Sequence, residues 1–103
     1  MARVEFTKPF DGDTRRQVDL LVSDGDWTRV VALIEELLVV RERLAAFPAL
    51  GRELLAGERE TLRRIALARA PYFIWYVHDR ETDVVRLARL FHARQRTPKP
   101  VLP

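Results

Sequence analysis

Pro71-Tyr72-Phe73-Ile74-Trp75-Tyr76-Val77 is the stretch that decides the fold. After the proline come six consecutive aromatic or β-branched residues, the side chains that pack best on a pleated surface. In a strand, alternate side chains point to opposite faces, so Tyr72 and Tyr76 share one face and Phe73 and Trp75 the other. Both faces are apolar. Such a strand belongs in the middle of a sheet, with a layer covering each side.

Outward from this strand the chain reads as a sheet on both flanks. Asp79–Asp83 is a polar hairpin turn without an Asn-Gly signal, and Val84–His92 forms the last strand. Upstream, Thr61–Arg69 forms the strand before it, with Ile65 and Leu67 on one face and Arg64, Ala66 and Ala68 on the other. Pro48 to Gly57 reads as a loop hinged at Gly51 and Gly57, with Leu54-Leu55 tucked under the core.

The first half is helical. Arg3–Thr7 alternates as an opening strand, with Val4 and Phe6 on one face, and Pro9 ends it. Asp11 or Asp13 caps a helix running to about Val22, which buries Val18, Leu21 and Val22. After the turn Ser23–Asp26, the apolar residues Trp27, Val30, Val31, Ile34, Leu37, Leu38 and Leu44 recur at three- and four-residue spacing. No proline or glycine interrupts this second helix before Phe47-Pro48, so it is about 20 residues and roughly 30 Å long. The expected fold is α+β: strand, helix, helix, then three antiparallel strands, the helical hairpin packed on one face of a small twisted sheet. The opening strand pairs beside one of the late strands. One domain spans residues 1–96, followed by a proline-rich extended tail over 97–103.

Composition narrows the chemistry. The chain has 103 residues, no cysteine, two histidines, a single serine (Ser23) and no asparagine. Disulfide scaffolds, thiol catalysis, Cys-based metal sites and the usual serine nucleophile motifs are excluded. The longest apolar run is Tyr72–Val77, too short to span a bilayer, and no apolar stretch follows Arg3. The expectation is a soluble cytoplasmic domain with no membrane partner. Residues 1–50 carry 7 basic and 9 acidic side chains, and residues 51–103 carry 11 and 6. A −2 helical half is thus joined to a +5 sheet half, which suits a polyanion or an acidic protein.

Three groups of residues carry possible chemistry. His92 ends the last strand and is followed by Arg94 and Arg96. A histidine beside arginines can move a proton on a phosphodiester whose charge the arginines hold, or it can simply be a hydrogen-bonded strand end. Arg63, Arg64 and Arg69 lie on or beside one strand, and Arg86 and Arg89 lie on another. Neighbours on a strand point apart, so Arg63 and Arg64 cannot share a patch, whereas Arg64 and Arg94 can. Phe73 and Trp75 either stack bases or pack a core, and if exposed they want a partner.

Leu62-Arg63-Arg64, the run Pro71–Tyr76 and the strand Val84–Arg94 together resemble the RelE/ParE superfamily of toxin–antitoxin toxins. The Pro-Tyr-x-Ile-x-Tyr pattern, the short hairpin and the closing His-x-Arg are similar to its ParE branch. The resemblance implies a cognate antitoxin partner and one of two activities. RelE-like members cleave mRNA on the ribosome without a metal, using basic residues on the open sheet face and often a tyrosine near the C terminus. ParE-like members inhibit DNA gyrase. Here Phe73 stands where the ribonuclease branch has an arginine, Ala66 follows Arg64 on its face, and no tyrosine follows Tyr76.

The resemblance therefore implies a gyrase-inhibiting toxin that is not an enzyme and needs no cofactor or metal. The alternatives are a ribosome-dependent ribonuclease using Arg64, His92 and Arg94, or a non-toxic binding module. The antitoxin is expected to wrap the hairpin and the open sheet face. Its candidate contacts are Arg63, Arg64, Phe73, Trp75, Arg86, Arg89, His92 and Arg94.

Overall fold

In the computed structural model, which describes residues 1–102, β4 (Tyr72–Asp79) is the middle strand of a five-stranded sheet. Ahead of it come β1 (Arg3–Phe6), α1 (Lys8–Ser23), α2 (Trp27–Ala46), β2 (Arg52–Ala56) and β3 (Glu60–Ala66), and β5 (Val84–His92) follows. The strand order is β1-β5-β4-β3-β2, with β1 parallel to β5 and every other pair antiparallel. This is the expected α+β arrangement, with the helical hairpin against one sheet face. Among the described residues no helix is long and apolar enough to cross a membrane.

Four expectations need correction. Arg52–Ala56 is a strand and not a loop, because it pairs with β3 from Arg52↔Arg64 to Ala56↔Thr61, with a bulge at Leu54. The Leu54-Leu55 doublet that breaks the alternation is that bulge. Helix α1 starts earlier than either aspartate: Thr7 is its N-cap, its hydroxyl accepting the Phe10 N–H at 3.3 Å. Pro9 sits in the first turn, where its missing N–H costs nothing. Val18 and Leu21 are half-buried, whereas Val22 is exposed and the deep anchor of α1 is Phe10.

Third, the apolar stripe of α2 divides. Val30, Leu33, Leu37, Val40 and Leu44 are buried, whereas Trp27, Val31, Ile34 and Leu38 are exposed on the outer side of the hairpin. Fourth, β3 stops at Ala66 and not at Arg69. The buried Glu36 carboxylate accepts the Ala68 and Arg69 N–H groups at 3.2 and 2.8 Å, tying this loop to α2.

Every residue from Tyr72 to Val77 is buried. On the hairpin face Tyr72, Ile74 and Tyr76 join Leu33, Leu44 and Leu87 in the main core. The Tyr76 hydroxyl donates to the Pro48 carbonyl at 2.7 Å and accepts the Gly51 N–H at 2.8 Å. A Cβ at position 51 would stand 2.6 Å from the Arg64 carbonyl oxygen, so only glycine fits there. On the opposite face Phe73, Trp75 and Val77 form a second cluster with Leu62 and Phe91, and Leu54, Leu55 and Leu102 pack against it. Among the described residues no helix lies across this cluster. The segment Thr97–Leu102, which has no regular secondary structure, crosses it as a strap from the end of β5 to Gly57. Of the expected tail, Pro103 lies outside the described residues.

Candidate functional site

The strap face gathers five cations, two of them paired with carboxylates and three not. Arg52 and Arg64 are direct partners across β2 and β3, so two guanidinium groups stand side by side on one face. Like charges placed directly opposite repel. The Arg64 guanidinium lies 4.1 Å from the centre of the Phe73 ring, a cation–π stack that covers the ring face. Around it, Phe73 and Phe91 rings lie 5.4 Å apart and Trp75 meets Phe91 edge-on at 5.0 Å. The aromatic pair is therefore core packing under the strap, with Phe73 and Trp75 only 6% and 7% exposed.

A bulge in β5 changes which arginines share this face. Trp75 pairs with Arg89 and Tyr76 with Leu87, leaving Ala88 as the extra residue. Strict alternation would set Arg86 and Arg89 on opposite faces; the bulge brings both to the strap side, where both line the cleft under the strap. Each already has a carboxylate. Arg86 pairs with Glu60. Arg89 donates to the buried Asp13 at 2.7 and 3.2 Å, and this hydrogen bond is the main reason its pKa is raised further. Asp13 also accepts the Leu90 N–H at 3.0 Å and the Arg16 guanidinium. Pairing with β1 ends at Leu87, so the Asp13 carboxylate supplies what a strand neighbour would have given the β5 edge.

The remaining candidates lie elsewhere. Arg63 points to the hairpin side and donates to the Gly51 and Ala49 carbonyls at 2.8 and 3.4 Å. His92 pairs with Tyr72 and meets its ring edge-on at 5.3 Å, in a cleft it shares with Gln17, Arg29 and Arg69. Its Nδ1 accepts the Arg94 N–H at 3.1 Å, which places the proton on Nε2. Burial raises the pKa of the Tyr72 phenol beside it. Arg94 is exposed just past β5. The structure thus brings Arg64, Phe73, Trp75, Arg86 and Arg89 to one face. Arg63 and His92 belong to the other.

Arg52 is the site residue that sequence reading missed, because its segment read as a loop. The signal was present in Arg52-x-Leu54, which shares the parity of a strand ending at Ala56, but the bulge masked it. At the far end of the sheet, Asp79 is held ionised well below the usual carboxylate range. The cause is a hydrogen bond from Arg59 at 2.8 Å, assisted by the Thr82 and Glu81 N–H groups. That cluster shapes the β4–β5 turn, where Asp83 takes a φ of 56°.

Comparison with known proteins adds a family and a fold. A family model described as the ParE toxin of the type II toxin-antitoxin system parDE matches residues 4–97. No curated protein sequence matches the chain. Solved structures similar in fold include the following two. One is the chromosomal ParDE system from P. aeruginosa, with TM-score 0.69, 14% identity, and coverage of 91% of this chain and 98% of that one. The other is the archaeal RelE–RelB complex from Pyrococcus horikoshii OT3, with TM-score 0.65, 16% identity, and coverage of 92% and 98%.

Proposed function

The chain belongs to the ParE toxin family of type II toxin–antitoxin systems, and from that premise we propose that it is a toxin acting by binding, with DNA gyrase as its target and a cognate antitoxin as its neutraliser. The observation that carries this reading is the separation of Arg64 and His92 on opposite sheet faces. A metal-free ribonuclease needs its proton-transfer group and its phosphate-holding cations around one scissile bond. Here Arg64 stacks on Phe73, Arg86 and Arg89 are neutralised by Glu60 and Asp13, and the imidazole faces the helices. A surface of this kind can hold a partner, but its cations and the imidazole cannot meet at one scissile bond.

The exposed stripe Trp27, Val31, Ile34 and Leu38 supports the antitoxin partnership. Its four-three-four spacing suits an amphipathic helix laid along α2. A gyrase supercoiling assay with the purified protein tests the target. Inhibition at a stoichiometric excess is expected; unimpaired supercoiling with folded toxin would reject gyrase.

One observation favours a second reading. The Arg52–Arg64 pair is chemically able to clamp a phosphate, which suits ribosome-dependent mRNA cleavage. That reading predicts cleavage in a translating extract that Arg64→Ala abolishes, and cleavage surviving the change would remove Arg64 from it.

A further inference from the structure

We propose that Thr97–Leu102 is a removable strap which, in the free toxin, occupies the seat of an extended acidic segment of the antitoxin, so that neutralisation displaces it. This rests on the toxin–antitoxin reading above and adds to it where the partner enters and what it must move.

The strap is a loose cover on a well-made floor. Leu62, Phe73, Trp75, Val77 and Phe91 are at most 7% exposed, yet among the described residues no hydrogen bond, backbone or side-chain, ties Thr97–Leu102 to the strands. Pro98 and Pro100 have no N–H to donate. What holds the strap is side-chain packing, with Leu102 resting on the floor cluster beside Gly57. Two clefts of about 360 and 500 Å³ remain between strap and sheet. Both clefts open to solvent, so the strap crosses the floor without filling the space beside it.

Charge identifies the occupant. Arg52, Arg64, Arg86, Arg89 and Lys99 line the two clefts, and among the described residues no carboxylate does. Glu60 and Asp13 neutralise two of these cations from outside the clefts. Arg52, Arg64 and Lys99 have no ion-pair partner among the described residues, and the first two repel each other across the strand pair. Carboxylates of a partner would relieve that repulsion while its apolar side chains fill the clefts. A nucleic acid fits less well, because stacking needs a free ring face. Phe73 is covered by Arg64, and Phe91 is flanked by Phe73 and Trp75.

The chain has no cysteine, so a single engineered pair can lock the strap. A Cβ at Gly57 would stand 2.9 Å from Cδ1 of Leu102, which marks where strap meets sheet, and the double variant Gly57→Cys/Leu102→Cys is the pair with which oxidation is used to trap that contact. The experiment measures binding of the full-length cognate antitoxin to this variant, oxidised and then reduced. At least a tenfold weaker affinity is expected for the oxidised form, with reduction restoring wild-type binding. In a second variant, Arg52→Glu/Arg64→Glu, association should slow by about tenfold at low salt and lose most of its salt dependence.

Equal affinity of the oxidised and reduced forms would overturn the proposal, as would failure of the thiols to join in the free protein. Locking that expels a single-stranded RNA oligonucleotide but not the antitoxin would assign the seat to nucleic acid instead, and also overturn it. If the reduced and wild-type proteins both fail to bind antitoxin, the toxin–antitoxin reading itself has failed, a separate result.

Discussion

The two faces of β4 are equally dry and very differently held. Tyr72, Ile74 and Tyr76 on the hairpin face and Phe73, Trp75 and Val77 on the strap face are all at most 7% exposed. On the hairpin face the cover is two helices, each tied to the sheet by a buried carboxylate: Asp13 to β5 and Glu36 to the β3–β4 loop. On the strap face the cover is six residues held by packing alone. Burial and attachment are therefore separate properties. A side chain can be buried under a cover that is fixed, or under one that costs little to remove, and only the second kind can change hands between the chain and a partner.

The largest expected contrast comes from truncating one buried residue on each side. Ile74→Ala should cost about 2–5 kcal/mol, since it empties a site enclosed by fixed elements. Leu102→Ala, half-buried at the strap end, should cost about 1 kcal/mol or less. Urea unfolding at constant m-value measures both, and similar losses would erase the distinction between the faces. Next comes Asp13→Ala, which removes the tie between α1 and β5. The expected loss is roughly 2–3 kcal/mol, less than for a fully enclosed pair because the Arg89 side chain is 38% exposed. Its counterpart on the strap face, Arg86→Ala, breaks a more exposed pair and should change stability by under about 1 kcal/mol.

Tyr76→Phe sharpens the comparison further. It leaves the Pro48 carbonyl and the Gly51 N–H without their partner, at an expected cost of about 1–2 kcal/mol, while Trp75 emission under the strap stays unchanged. The smallest effect is a pH dependence. Arg59 and two backbone N–H groups favour ionised Asp79, so its folded-state pKa lies below its unfolded one. The stabilisation is present above about pH 4 and fades as pH falls through the lowered folded value. Asp79→Asn should flatten the acid limb of a pH–stability profile, and an unchanged limb would remove Asp79 from the turn's energetics.

Much of this was legible from residue order. The run Tyr72–Val77 announced a central strand covered on both sides, and it is one. The 20-residue α2 and the parity of Ile65 and Leu67 against Arg64 were legible because helix and strand periods are local properties. Two departures from simple alternation share a physical origin. The bulges at Leu54 and Ala88 each insert one residue, and a one-residue shift moves side chains to the other face. The first hid β2 and Arg52; the second joined Arg86 to Arg89. The α2 stripe was misread for a related reason: periodicity finds apolar residues, but a helix wide in apolar residues has more face than one sheet can cover.

By itself, then, the sequence determined the family, the α+β order of elements and the position of the central strand, because these follow from local period, propensity and motif. Only the tertiary structure decided which arginines are free and which are held. Whether Asp13 reaches Arg89, 76 positions away, or Glu60 reaches Arg86, depends on strand register and helix placement. Tertiary structure also decided that Arg64 and His92 face away from each other, and that a proline-containing strap lies where a partner's chain could lie. Charge count is a property of composition, but a binding surface is made of the charges that folding leaves unpaired.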